Sequence, residues 1–113
     1  YLGFIFEEVC KQYLAQINSF DYSVLGRWWY KGIEIDILAL NEESKSILFG
    51  ECKWQENVDA IKLFSKLKEK AMFVDWNIHK RREEFVLFAK SFKTKPKIKG
   101  LLLFDLKDLN NVK

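Results

Sequence analysis

The chain has 113 residues, 49% hydrophobic and 16% aromatic, which suits one domain with its own core and excludes a disordered segment. Nineteen basic against sixteen acidic residues leave a net charge of +3, a mild lean towards anionic partners. A single histidine, His79, rules out a histidine-rich zinc site or a Ser-His-Asp triad, and no apolar run is long enough to span a bilayer.

No secretory signal is visible, so the expected location is cytoplasmic, with no membrane partner. Cys10 and Cys52 both fall on apolar faces and read as reduced core residues rather than a disulfide framework. The chain opens at Tyr1 directly into an apolar helix pattern, and so reads as a domain of a longer protein.

The first predicted element is an amphipathic helix from Leu2 to about Asn18. Its apolar stripe is Leu2, Ile5, Phe6, Val9, Cys10, Tyr13, Leu14 and Ile17. Glu8 points away from that stripe. Glu7 lies at its border, either as a boundary charge in solvent or as a group reaching across the seam between helix and sheet. Tyr22 to Tyr30 gives a strand in which Trp28 and Trp29 face opposite ways, so at least one is core. The other is free to stack on a nucleobase, although packing is the commoner use. Arg27, in the same strand, is a candidate phosphate contact or a surface salt bridge.

Lys31-Gly32 then turns the chain into a hairpin from Gly32 to Trp54. Strand alternation puts Glu34, Asp36, Leu38 and Leu40 on one side and Ile33, Ile35, Ile37 and Ala39 on the other. In the second strand Ile47, Phe49, Glu51 and Lys53 form one set. A loop from Glu42 to Lys45 places Asp36 opposite Glu51 and Glu34 opposite Lys53. A slip of one residue would separate the charged sets. Charge gathered among apolar residues is costly unless it is compensated, and a divalent cation is the obvious compensation.

Asn57 is the expected N-cap of a second amphipathic helix, with Val58, Ile61, Phe64, Leu67, Ala71 and Val74 as its apolar positions. Lys80-Arg81-Arg82 is a compact basic cluster. Phe85 to Ala89 and Gly100 to Phe104 read as buried strands, separated by a loop with Lys93, Lys95, Lys97 and Lys99 in alternation. A helical turn from Asp105 to Leu109 closes the chain. The order is α-β-β-β-α-β-β. Both hairpin faces are apolar, so the expected fold is α/β, a mixed central sheet with helices on both faces.

Asp36, Glu51 and Lys53 at one end of a sheet, with Glu7 entering from the first helix, are equipment for metal-assisted phosphodiester hydrolysis. Carboxylates suit Mg²⁺ or Mn²⁺, and the main-chain carbonyl of Cys52 is a further hard oxygen ligand. A neighbouring lysine orients the attacking water or stabilises charge on the phosphate.

The helix bearing Glu7, then Glu34-Ile35-Asp36, then Glu51-Cys52-Lys53 and a following helix resemble the PD-(D/E)XK nuclease superfamily. The wording Gly26-Arg27-Trp28-Trp29, Glu34-Ile35-Asp36-Ile37 and Phe49-Gly50-Glu51-Cys52-Lys53-Trp54 is similar to the C-terminal domain of archaeal and bacterial AAA-type ATPases. The resemblance covers nearly the whole chain, residues 1–113, as a single nuclease-like domain. It implies a restriction-endonuclease-like α-β-β-β-α-β core, with an N-terminal P-loop ATPase domain on the same chain. No glycine-rich P-loop occurs within these residues.

The resemblance also implies Asp36 and Glu51 as metal ligands, Lys53 as the catalytic lysine and Glu7 as a helix-borne acid. Ile35 stands where the superfamily has its proline. Glu34 is an extra acid that pairs with Lys53 or binds a second ion. The expected function is a Mg²⁺-dependent DNA endonuclease. Arg27, Lys80, Arg81, Arg82, Lys93 and Lys95 would be its phosphate contacts, and a homodimer is a further expectation, since relatives often dimerise. The alternative is a non-catalytic module of the same fold that binds DNA or protein and regulates the attached ATPase. A purely structural oligomerisation domain comes third.

Overall fold

In a computed structural model, which describes residues 2–17 and 20–110, the order is α1 (Leu2–Ile17), β1 (Val24–Tyr30), β2 (Ile33–Asn41) and β3 (Ser46–Lys53), followed by α2 (Ala60–Ala71), β4 (Arg82–Ala89), β5 (Leu101–Phe104) and α3 (Leu106–Asn110). The five strands form one mixed sheet in the order β1-β2-β3-β4-β5. Two short turns make β1, β2 and β3 antiparallel neighbours, whereas β4 and β5 run parallel to β3. The parallel step needs a crossover, which α2 supplies. The expected end of the first helix at Asn18 lies outside the described residues.

Both faces of the sheet are covered. On one, α2 lays Leu63, Phe64, Leu67 and Ala71 over Leu38, Ile47, Phe49, Phe85 and Leu87. On the other, Phe6, Cys10 and Leu14 of α1 cover Ile37, Ala39, Leu48, Val86 and Phe88. The α1 stripe is narrower than its spacing predicts. Only Phe6, Cys10 and Leu14, one residue in four, are buried, while Leu2, Ile5 and Val9 stay exposed. Trp28 packs against the α2-side core and Trp29 is exposed.

The hairpin turns set the register. Lys31 and Gly32 both take positive φ, 49° and 82°, in a two-residue turn closed by the pair Tyr30 and Ile33. The second turn is the expected Glu42–Lys45 loop, closed by Asn41 and Ser46. Asn41 Oδ1 accepts the Ser44 amide at 2.9 Å, and Lys45 takes a φ of 56°.

Helix α2 begins later than expected. Its N-cap is Asp59, whose carboxylate accepts the Lys62 amide at 3.1 Å. Asn57 instead takes a φ of 54° and donates its amide to Ser91 Oγ at 2.8 Å. At the other end Arg81 closes the helix. Its guanidinium donates to the carbonyls of Ala71 (3.0 Å), Val74 (2.6 Å) and Trp76 (2.9 Å) and lies over the Phe49 ring.

Candidate functional site

The site starts from an irregularity in β2. Gly26 pairs with Leu38 but Trp28 with Ile35, so Arg27 faces two residues, Asp36 and Ile37. Such a bulge breaks strand alternation. Ile35 and Ile37, expected on one face, are buried on opposite ones, in the α2-side and α1-side cores.

The same point ends the ladder between β2 and β3, whose last pair is Ile37 and Gly50. Up to that pair the register is the expected one, and beyond it Asp36 still meets the Glu51 end of β3, whereas Glu34 lies at Arg27 and forms no ion pair with Lys53. There the Cys52 amide donates to Asp36 Oδ2 at 2.9 Å instead of to a main-chain partner. Amide and carbonyl of one strand residue point the same way, so the Cys52 carbonyl faces the same opening.

Glu51 is 5% exposed, a carboxyl buried in the core. Lys70 Nζ from α2 approaches its Oε1 at 2.5 Å. Burial first, and the Asp36 carboxyl within hydrogen-bonding reach second, push its pKa up to about 7, against the lowering pull of Lys70. On the far side of Asp36, Arg27 Nη2 lies 3.7 Å from Glu7, 3.6 Å from Glu34 and 3.7 Å from Asp36. Glu7 therefore does reach across the seam. Burial, and then Asp36, raise its pKa. Each carboxylate thus already has a cation of the chain beside it, Arg27 at Asp36 and Lys70 at Glu51.

Lys53 is exposed and lines a cavity of about 300 Å³ together with Glu51, Lys62, Lys66, Lys70 and Lys93. The cavity lies at the carboxyl ends of β3 and β4, where the parallel strands open outward, the usual place for a ligand in such sheets. Of the six predicted phosphate contacts, only Lys93 lies there. Arg81 is spent on the carbonyls of Ala71, Val74 and Trp76, its side chain 2% exposed. Lys95 is held by Asp105 at 3.0 Å and Asp108 at 2.7 Å. Arg27 is engaged by the three carboxylates. Arg82 pairs alongside Ser46, which puts it and neighbouring Lys80 at the opposite end of the sheet from Lys53.

Lys62, Lys66 and Lys70 were missed as site residues. The available signal was their four-residue spacing, which makes one ridge along a helix.

Among the described residues no three His, Cys, Asp or Glu side chains gather with metal-holding geometry. The set on offer is Asp36, Glu51 and the Cys52 carbonyl. That fits Mg²⁺ or Mn²⁺, which take one or two carboxylates and keep several waters.

The fold and site define a mixed α/β protein with a carboxylate–lysine centre at one end of its sheet. The chain belongs to the DUF234 family, described as archaea bacterial proteins of unknown function, whose model matches residues 1–74. That segment contains Glu7, Arg27, Glu34, Asp36, Glu51, Lys53 and Lys70. The chain is also 35% identical, over 117 residues, to an uncharacterized protein of Methanocaldococcus jannaschii, covering 97% of this chain and 26% of that protein. It therefore spans about a quarter of the relative's length. No solved structure matches it.

Proposed function

We propose that this chain is a restriction-endonuclease-like, metal-dependent domain that hydrolyses DNA phosphodiester bonds and is attached to an AAA-type ATPase. One observation carries the reading. Beside a bulge and a broken ladder the Asp36 and Glu51 carboxyls come within hydrogen-bonding reach of each other, and Glu51 shares a lysine-lined cavity with Lys53. Asp36, Glu51 and the Cys52 carbonyl would hold Mg²⁺ or Mn²⁺, which supplies polarisation of a phosphate oxygen and a bound water of lowered pKa. The Lys53 ammonium orients that water or stabilises charge developing on the phosphate. Arg27 holds Asp36 in place while balancing Glu7 and Glu34.

The test is cleavage of labelled linear, branched and single-stranded DNA by the native protein and by Asp36→Ala, Glu51→Ala and Lys53→Ala. Each variant is expected to lose about 100-fold or more in rate while still binding DNA. Cleavage unchanged in all three would end the proposal.

A second reading has its own support. Arg27 and Lys70 already neutralise the carboxylates, so the centre is also a sound structural network without metal. The chain would then bind DNA or protein and regulate its ATPase. DNA binding that ignores Mg²⁺ and EDTA, with no cleavage by native protein, is its expected signature.

A further inference from the structure

Lys70 stands at the boundary between two sites of opposite charge. Its ammonium lies on Glu51, 2.5 Å away, yet its side chain is 35% exposed and lines the cavity that also holds Lys53, Lys62, Lys66 and Lys93. Lys62, Lys66 and Lys70 follow one another at four-residue spacing on α2, about 6 Å apart along its axis. That repeat is comparable with the separation of successive phosphates on one strand.

We infer that Lys70 is shared between the Glu51 carboxylate and a phosphate strand in this cavity, so that divalent cation and strand bind cooperatively. The inference rests on the metal site proposed above. A cation on Glu51 and the Lys70 ammonium compete for one buried carboxylate. With no strand present, the displaced ammonium loses its ion pair in a cavity already lined by four other lysines, and that cost weakens cation binding. Asp59 is committed to capping α2 and Glu34 to Arg27, and the cavity's remaining acid, Glu56, is one carboxylate among the four other lysines. A phosphate in the cavity gives Lys70 a new partner on its flexible stem. The strand thereby clears Glu51 for the cation, and by reciprocity the cation strengthens the strand by the same factor.

The experiment is calorimetric titration of Mn²⁺ into the native protein, Lys70→Gln and Glu51→Gln, with and without a short phosphorothioate oligonucleotide that resists cutting. In the native protein the oligonucleotide is expected to tighten Mn²⁺ about tenfold, within the usual range of coupling between sites. Lys70→Gln is expected to bind Mn²⁺ tightly from the outset and to gain less than about twofold from the oligonucleotide. Equal gains in native and Lys70→Gln protein overturn the inference and leave the metal site standing. Native Mn²⁺ binding that Glu51→Gln does not change, with or without the strand, removes the metal site and the inference with it. The native protein alone supplies a check that needs no variant to fold. Mn²⁺ is expected to tighten the oligonucleotide about tenfold in turn, and a factor of one in both directions overturns the inference.

Discussion

Glu51 leaves water to sit against Asp36, and its pKa rises from an ordinary 4.5 to about 7. Between those values the folded chain keeps a proton that the unfolded chain has released. The stability linked to Glu51 is therefore full below about 4.5 and is lost as pH climbs through about 7. Urea unfolding of native protein and Glu51→Gln at about pH 5 and about pH 8 measures this. The native protein is expected to lose stability relative to the variant on going to the higher pH, and a constant difference would mean that Glu51 is ionised throughout. Arg81 contributes through structure. Arg81→Ala strands the carbonyls of Ala71 at the end of α2 and of Val74 and Trp76 just after it and opens space beside Phe49, so it is expected to cost roughly 2–4 kcal/mol in unfolding free energy. Its DNA affinity should stay at the native value once the variant is folded.

The strands β2, β3 and β4 meet so closely beside the site that only glycine fits at one point. A Cβ at Gly50 would come within 2.9 Å of Ile37 Cβ and 3.0 Å of Val86 Cγ1. Gly50→Ala is expected to destabilise the protein by about 1–3 kcal/mol, read from the urea midpoint. It is also expected to weaken Mn²⁺ binding, because Gly50 fixes the position of Glu51 next to it. Asp59→Ala removes the α2 N-cap and should cost about 1 kcal/mol. Both elements matter for the same reason: α2 delivers Lys70, and the β2–β3 opening delivers Asp36 and Glu51.

Across the molecule, charge is arranged by the ends of the sheet. The cavity lysines crowd the end where β3 finishes at Lys53, whereas Lys80 and Arg82 lie near Ser46, roughly 23 Å away at strand rise. A strand of DNA held in the cavity would lose its salt dependence with the cavity lysines and not with the remote pair. Lys62→Ala combined with Lys66→Ala is expected to reduce the slope of log K against log salt by about two, and Lys80→Ala with Arg82→Ala to leave it unchanged. The reverse result would move the DNA surface to the other end of the sheet. In the described residues no helix is long and apolar enough to cross a membrane, which agrees with the absence of such a run in the sequence.

Local chemistry was legible in the residue order wherever neighbours along the chain decide it. Turn residues at Lys31-Gly32 and Glu42–Lys45 set the strand pairing, and that pairing alone directs Asp36 towards Glu51. The helix-bearing Cys10 and Leu14 and the two-sided sheet also followed from periodicity, because apolar spacing must match a buried face. Other features depend on groups distant in sequence. The bulge at Asp36 arises from a mismatch with β1 across the sheet, so it could not be seen in β2 alone. Arg81, a basic residue in a basic cluster, is an expected phosphate contact in the residue order, whereas the fold brings it the carbonyls of Ala71, Val74 and Trp76. Lys70 lies off the apolar positions of its helix, and only the crossover that lays α2 over β3 brings it to Glu51. Patterns along the chain specify which elements form. Which charges meet depends on how those elements pack, since an ion pair is set by distance in space rather than by separation in sequence.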